Sequence, residues 1–257
     1  MPDPVPPPAL HADVVGAGPR LALVHGFTQT RRSWGPVADD LARDHELVLV
    51  DAPGHGRSAE LHADRATAGR LVADVAGPAV YVGYSMGGRI VLHTALERPD
   101  LVRGLVLIGA TAGLESADER AARVADDEAR ARRVEAIGVA AFLDEWLALP
   151  LFAGLSPAAA GRDARLENTA AGLASSLRLA GTGTQEPSWH RLGEISAPTL
   201  VVAGADDTKF VALGQRLAAG IGANATFATV AGAGHTAHLE QPAAFLAVLR
   251  PWLDLLG

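Results

Sequence analysis

The sequence predicts an α/β protein built on a mostly parallel, doubly wound sheet, with a helical cap inserted into it. Three observations carry that expectation. Short apolar runs alternate with helical patterns at both ends of the chain. The alternation stops between residues 112 and 195. The polar residues able to do chemistry fall just after the apolar runs. Buried strands alternating with helices are what a parallel sheet requires.

Taken in order, "MPDPVPPPALHAD" gives a proline-rich lead, read as flexible over residues 1–12. It has neither a basic start nor an apolar stretch, so it does not read as a signal peptide. Strands are expected at 21–26 ("LALVHG"), 46–51, 79–85 ("AVYVGYS"), 101–110, 199–205 and 225–235. Each is short, rich in Val, Leu or Ile, and closed by Gly or a polar residue. Helices are expected at about 36–43, 66–76, 86–97, 211–220 and 240–255. The core therefore spans 13–111 and 196–257. Residues 112–195 hold charged helical patterns, the aromatic patch "FLDEWLALPLFAGL" and a Gly/Thr loop, with no convincing strand. They read as a cap over the carboxyl ends of the strands, where open α/β sheets bind ligands.

With 257 residues, 49% of them hydrophobic, the chain can bury a full core. It has no cysteine, which excludes disulfides, thiolate metal sites and thiol nucleophiles. A net charge of −7, with no basic stripe interleaved with aromatics, argues against a nucleic-acid partner. No uninterrupted apolar run reaches the roughly 18–20 residues of a membrane span, so no membrane insertion and a cytoplasmic location are expected.

The chemistry starts at Gly83-Tyr84-Ser85-Met86-Gly87, a G-x-S-x-G motif directly after an expected strand and before an expected helix. That context lifts a serine hydroxyl into the crevice and turns helix N–H groups toward it. Serine becomes reactive only when a histidine takes its proton and an acid orients the histidine. Both follow in chain order at strand ends. "VVAGADDTKF" offers Asp206 and Asp207, and "AGAGHTAHLEQP" offers His235, which follows glycine directly, with His238 as a competitor. The H-x-x-H spacing has no third ligand nearby, so no metal is expected. In "LVHGFTQTRRSW" the N–H of Phe27 is expected to face that of Met86 as an oxyanion hole. Trp34 and His55 read as structural.

Arg89 lies four residues after Ser85, on the same helix face. A guanidinium so near the crevice is costly to desolvate unless an anion meets it. It either pairs with an internal acid or receives a substrate carboxylate. Arg123 and Arg165 lie in the cap, and each taken singly reads as a solvated helix residue.

These stretches resemble the α/β-hydrolase superfamily and, within it, the 2-succinyl-6-hydroxy-2,4-cyclohexadiene-1-carboxylate (SHCHC) synthases of menaquinone biosynthesis. The likeness rests on "HGFTQTRRSW", "DAPGHGRS", "GYSMGGR", "ATAGLESADERAAR", "FLDEWLALPLF", "ENTAAGLASSLRLAGTGTQEPSW", "GADDTKF" and "AGHTAHLEQP". One departure is the Thr-Ala in "GATAGLES", where the family more often has Ser-Pro. The resemblance implies an α/β-hydrolase fold and a triad of Ser85, Asp207 and His235. It assigns substrate carboxylates to Arg89, Arg123 and Arg165, with Tyr84 and Trp146 lining the pocket. The activity implied is a lyase that eliminates pyruvate from a small-molecule tricarboxylate without metal or organic cofactor. The alternative is a carboxylesterase or C–C bond hydrolase working through an acyl-enzyme or an activated water.

Overall fold

The computed structural model describes residues 9–257. Seven strands, β1 (Ala12–Gly16), β2 (Arg20–Val24), β3 (Glu46–Val50), β4 (Ala79–Tyr84), β5 (Val102–Ile108), β6 (Thr199–Gly204) and β7 (Ala225–Val230), form one sheet. Their order is β1-β3-β2-β4-β5-β6-β7. All neighbours run parallel except β1, which is antiparallel to β3. The helices are α1 (Gly35–Leu41), α2 (Arg65–Ala76), α3 (Met86–Glu97), α4 (Ala117–Leu147), α5 (Pro157–Ala160), α6 (Arg162–Arg165), α7 (Ala170–Ala180), α8 (Thr208–Ile221), α9 (Ala237–Glu240) and α10 (Pro242–Asp254).

Strand β4, "AVYVGY", is buried at every position because helices cover both faces of the sheet. On one face Val72, Ile90 and Leu217, from α2, α3 and α8, pack against the strands. On the other, Leu41 of α1 meets Phe245 and Leu249 of α10. Both faces of the central strands are thus sealed from water, and the carboxyl ends of the parallel strands open on a single side, beneath α4–α7.

Among the described residues the chain between β5 and β6 is helical, without a strand. Helix α4 starts at Ser116, whose hydroxyl accepts from the Glu119 N–H at 3.3 Å, with acids in its first turn favouring the positive helix end. Gly138, at φ 78° and ψ 167°, breaks α4 into two segments. A third apolar cluster joins Val134, Phe142, Leu173 and Leu177, and it touches Phe27 and Trp146. Both ends of this insertion converge on Arg216 of α8. Its guanidinium lies 3.9 Å over the Trp189 ring and bonds the Glu115 carboxylate at 2.6 and 2.9 Å. No described helix is long and apolar enough to cross a membrane.

The structure departs from the sequence expectation in three places. Strand β1 was not foreseen: "ADVVG" has no apolar run, and Val14 is 59% exposed on the sheet edge. The lead read as flexible over 1–12 is ordered from Leu10, which is buried in the core, and β1 already begins at Ala12. Residues 1–8 lie outside the described residues. The last strand stops at Val230 instead of 235, because the chain turns at Gly232 (φ 65°). The helix expected over 240–255 is present as α10, Pro242–Asp254, with the single turn α9 just before it.

Candidate active site

Ser85 caps α3 at the end of β4 with φ 51° and ψ −106°. A side chain in this left-handed region costs about 1–3 kcal/mol, held here by the surrounding structure. Its N–H is tied to the Ile108 carbonyl at 2.8 Å, which anchors the turn to β5. The turn closes because residue 83 lacks a side chain: a Cβ there would sit 2.5 Å from the Gly87 carbonyl oxygen.

The Ser85 hydroxyl lies 3.2 Å from His235 Nε2, and His235 Nδ1 lies 2.8 Å from an Asp207 carboxylate oxygen. The other Asp207 oxygen accepts from the Phe210 N–H at 3.3 Å, so the start of α8 fixes the acid. Asp206 is exposed, and its backbone N–H bonds Ala233. His238 is buried between Trp34 and Tyr84, with ring centroids 4.9 and 4.6 Å away. Trp34 packs in the core and does not reach the cavity.

Opposite Ser85 lies the turn Gly26–Gln29, closed by the Gln29 N–H donating to the Gly26 carbonyl at 3.1 Å. Among the described residues the Phe27 and Met86 N–H groups have no protein acceptor, and both residues line the cavity. The third residue of the turn, Thr28, has φ 66°. Behind it, His25 and His55 are fully buried and stack edge to face at 5.1 Å. His25 Nδ1 bonds the Gly26 carbonyl at 2.8 Å, and its Nε2 accepts from the Ala52 N–H at 3.1 Å. His55 Nδ1 bonds the Pro53 carbonyl at 3.0 Å, while Nε2 takes the Thr28 N–H at 3.3 Å.

Burial holds His25 at about 4, and His55 and His238 at about 3, so all three are neutral in the folded protein. Unfolding returns them to their ordinary value near 6.5. Below that pH the unfolded chain binds protons that the folded chain refuses, so stability falls as pH drops from about 6.5 toward 4. Each histidine contributes about 1.4 kcal/mol per pH unit, so the three together give roughly 4. Urea melts at pH 7, 6 and 5 are expected to show uptake of about three protons on unfolding in the lower interval. Uptake near zero would mean that these rings are charged or exposed.

Ser85, His235 and Asp207 open into a cavity of ≈ 290 Å³. Its wall carries Arg89, Arg123, Arg130, Arg165 and Lys209, against Asp207 as the sole acid among the described residues. Arg89 is buried and donates from Nη1 to the Ala180 carbonyl at 2.9 Å and to Gln185 Oε1 at 3.2 Å. No described carboxylate pairs with it, so the internal salt bridge is not formed. Burial, then repulsion from Arg123 and Arg65, pulls it down to about 9. Arg165 is 1% exposed, not the solvated helix residue that its local sequence suggests. Its Nε donates to the Ala160 carbonyl at 2.7 Å and its Nη1 to the Thr28 hydroxyl. Burial lowers it to about 10, again with no carboxylate partner. Both guanidiniums are therefore charged, desolvated and uncompensated, a condition that an incoming anion relieves.

Arg123 is half paired. Its Nε bonds Asp127 at 2.8 Å, and Arg130 reaches the same oxygen at 3.4 Å. Tyr84 and Trp146 line the cavity as well. The Tyr84 hydroxyl faces that of Thr236 at 3.3 Å, and burial raises it above its ordinary value, so it stays protonated. The Trp146 indole N–H is buried with no partner among the described residues. Sequence reasoning missed Arg130 and Gln29. Arg130 follows Arg123 by seven residues, a spacing that puts both on one helix face. Gln29 is 1% exposed and lines the cavity, and its Nε2 has no partner among the described residues.

Known proteins fall into place on this geometry. The α/β-hydrolase family model matches residues 21–248. A Bacillus subtilis protein named, provisionally, as an SHCHC synthase is 34% identical over 251 residues, covering 92% of this chain and 91% of its own length. The SHCHC synthase of Yersinia pseudotuberculosis is 33% identical over 93% of this chain and 88% of its own. Among solved structures, MenH from S. aureus superposes with a TM-score of 0.88 at 28% identity, over 96% of this chain and 98% of that one. Fold, motif order and relatives agree, and the chain belongs to the α/β-hydrolase family.

Proposed function

We propose that the chain is a lyase that eliminates pyruvate from 2-succinyl-5-enolpyruvyl-6-hydroxy-3-cyclohexene-1-carboxylate, giving SHCHC in menaquinone biosynthesis. The carrying observation is the pair Arg89 and Arg165, buried at the wall of the Ser85 cavity without a carboxylate of their own. A tricarboxylate supplies what they lack, and Arg123, Arg130 and Lys209 add charge for its remaining groups. The relatives named SHCHC synthase support the same substrate class.

In this mechanism Ser85, polarised by His235 and Asp207, removes the ring proton beside the succinyl ketone. The freed pair forms the C2–C3 double bond, the C3–C4 double bond moves to C4–C5, and the C5–O bond breaks. The departing enolpyruvate takes up the proton held by His235 and becomes pyruvate. While the C–H bond breaks, negative charge gathers on the ketone oxygen, where the Phe27 and Met86 N–H groups stabilise it. Arg89, Arg123 and Arg165 hold the carboxylates, and Tyr84 and Trp146 shape the apolar wall around the ring.

A second reading draws on the serine–histidine contact at 3.2 Å, which suits acyl transfer equally well. On this reading the chain is a carboxylesterase or C–C bond hydrolase. Pyruvate release coupled to lactate dehydrogenase separates the two. Wild type is expected to release pyruvate well above the spontaneous rate and to turn over p-nitrophenyl acetate poorly. Arg89→Gln is expected to raise KM about 10²-fold, the cost of removing one partner of a buried charge pair. No release, together with brisk ester turnover, would establish the hydrolase instead.

A further inference from the structure

We propose that Asn168 is a positioning residue for the oxyanion hole, holding the strained backbone of Thr28 and through it the N–H of Phe27. The proposal rests on the reading that this N–H meets a developing oxyanion, which the lyase and the hydrolase share.

In the turn Gly26–Gln29, Thr28 is the third residue and has φ 66°. A turn with positive φ there asks for glycine or asparagine; a β-branched residue in its place is strained, at a cost of about 1–3 kcal/mol. Every polar atom of Thr28 is nonetheless engaged. Its N–H goes to His55 Nε2 at 3.3 Å, its hydroxyl accepts from Arg165, and its carbonyl accepts from Asn168 Nδ2 at 2.7 Å. Thr28 is wholly buried and Asn168 is 5% exposed, so water is a poor substitute for these partners.

Asn168 uses its whole side chain in the task. Nδ2 also donates to the Arg165 carbonyl at 2.8 Å, and Oδ1 accepts from the Gly56 N–H at 2.9 Å. These two bonds fix which end of the amide faces Thr28. One side chain from the helical insertion thus ties together the Ser85-facing turn, the loop after β3 and the backbone of Arg165. The Gly26–Phe27 peptide is anchored from behind, since its carbonyl accepts from His25 Nδ1 and the Gln29 N–H. In a trans peptide the Phe27 N–H points the opposite way. Relaxation of Thr28 toward negative φ would swing the Phe27–Thr28 peptide, break its bond to His55, and turn Phe27 out of register.

The experiment pairs Asn168→Ala with Asn168→Asp, which keeps the acceptor for Gly56 and loses the donor to Thr28. Both are expected to lower kcat for pyruvate release by about 10- to 100-fold, with KM within about threefold. Thr28→Gly in the Asn168→Ala background is expected to recover part of that loss, because glycine holds positive φ without a clamp. A second readout does not depend on the lyase reading: the rate at which diisopropyl fluorophosphate phosphorylates Ser85, followed by mass spectrometry. It is expected to drop by a similar factor in both Asn168 variants when labelled well below their melting temperatures, where each is fully folded. Wild-type kcat and wild-type labelling rates in both variants would overturn the proposal. So would a Thr28→Gly effect that simply adds to that of Asn168→Ala. Wild type that labels readily but releases no pyruvate would count against the lyase alone, and labelling of the variants would still decide the role of Asn168.

Discussion

Replacing Ser85 with alanine is expected to lower kcat for pyruvate release by about 10³-fold and to leave substrate affinity within about threefold. Proton transfer by a positioned side chain is worth about 10²–10⁴-fold, and in the proposed reaction Ser85 carries that step. The groups proposed to bind substrate are elsewhere: Arg89 is anchored on Ala180 and Gln185, Arg165 on Ala160 and Thr28. Neither anchor involves the serine. Pyruvate release followed over a range of substrate concentrations, resolved into kcat and KM, would read the two quantities separately. A loss in kcat of less than tenfold would remove Ser85 from the proton path. Trapping an acyl group on wild-type Ser85 after rapid quench would show that it acts as a nucleophile.

Gly87→Ala is expected to cost about 3 kcal/mol of stability or more and to abolish turnover. A Cβ at this position would lie 2.0 Å from the Val24 carbonyl oxygen and 2.6 Å from that of His25. Both are backbone atoms of the strand end beneath α3, with no rotamer to change. The helix must lift from the sheet, and Ser85 and Met86 at its start move with it. For a chain of this size the expected fall in melting temperature is about 10 °C. Gly193→Ala is the matched control. Its nearest neighbour would be the Gly220 carbonyl oxygen at 3.9 Å, so a change within about 0.5 kcal/mol is expected. Equal melting temperatures for the two variants would show that α3 can shift away from β2 at no cost.

Some parts of the site were legible in the sequence because local backbone rules expose them. Gly83, Ser85 and Gly87 punctuate a strand-to-helix turn, and Asp207 and His235 follow apolar runs, so their order and their place at strand ends can be read from one chain. The choice between Asp206 and Asp207 was not local. It came from likeness to relatives, and the contact with His235 is made by Asp207. Arg165 misled for a physical reason. Its helix is a single turn, too short to show a buried face, and it is covered by Thr28, 137 residues earlier. Asn168 had no sequence signal at all, since its partners come from three separate segments. Strand β1 escaped because an exposed antiparallel edge needs no apolar run.

Both junctions of the insertion meet at one side chain, with Glu115 and Trp189 held by the guanidinium of Arg216. The excursion therefore leaves and returns through a single doorway, and to the sheet it is a closed loop whose ends are already together. The entropy of closing such a loop grows only slowly with its length. Selection can lengthen, shorten or replace its contents at little thermodynamic cost to the strands below. The strand ends keep Ser85, Asp207 and His235 while the insertion supplies Arg123, Arg130 and Arg165. On the proposed reading much of the substrate-facing charge travels with the excursion while Arg89 stays on α3 of the scaffold, so a transplanted excursion, cut at this doorway, is the unit for changing specificity provided that it brings an equivalent of Asn168 to hold the Thr28 turn.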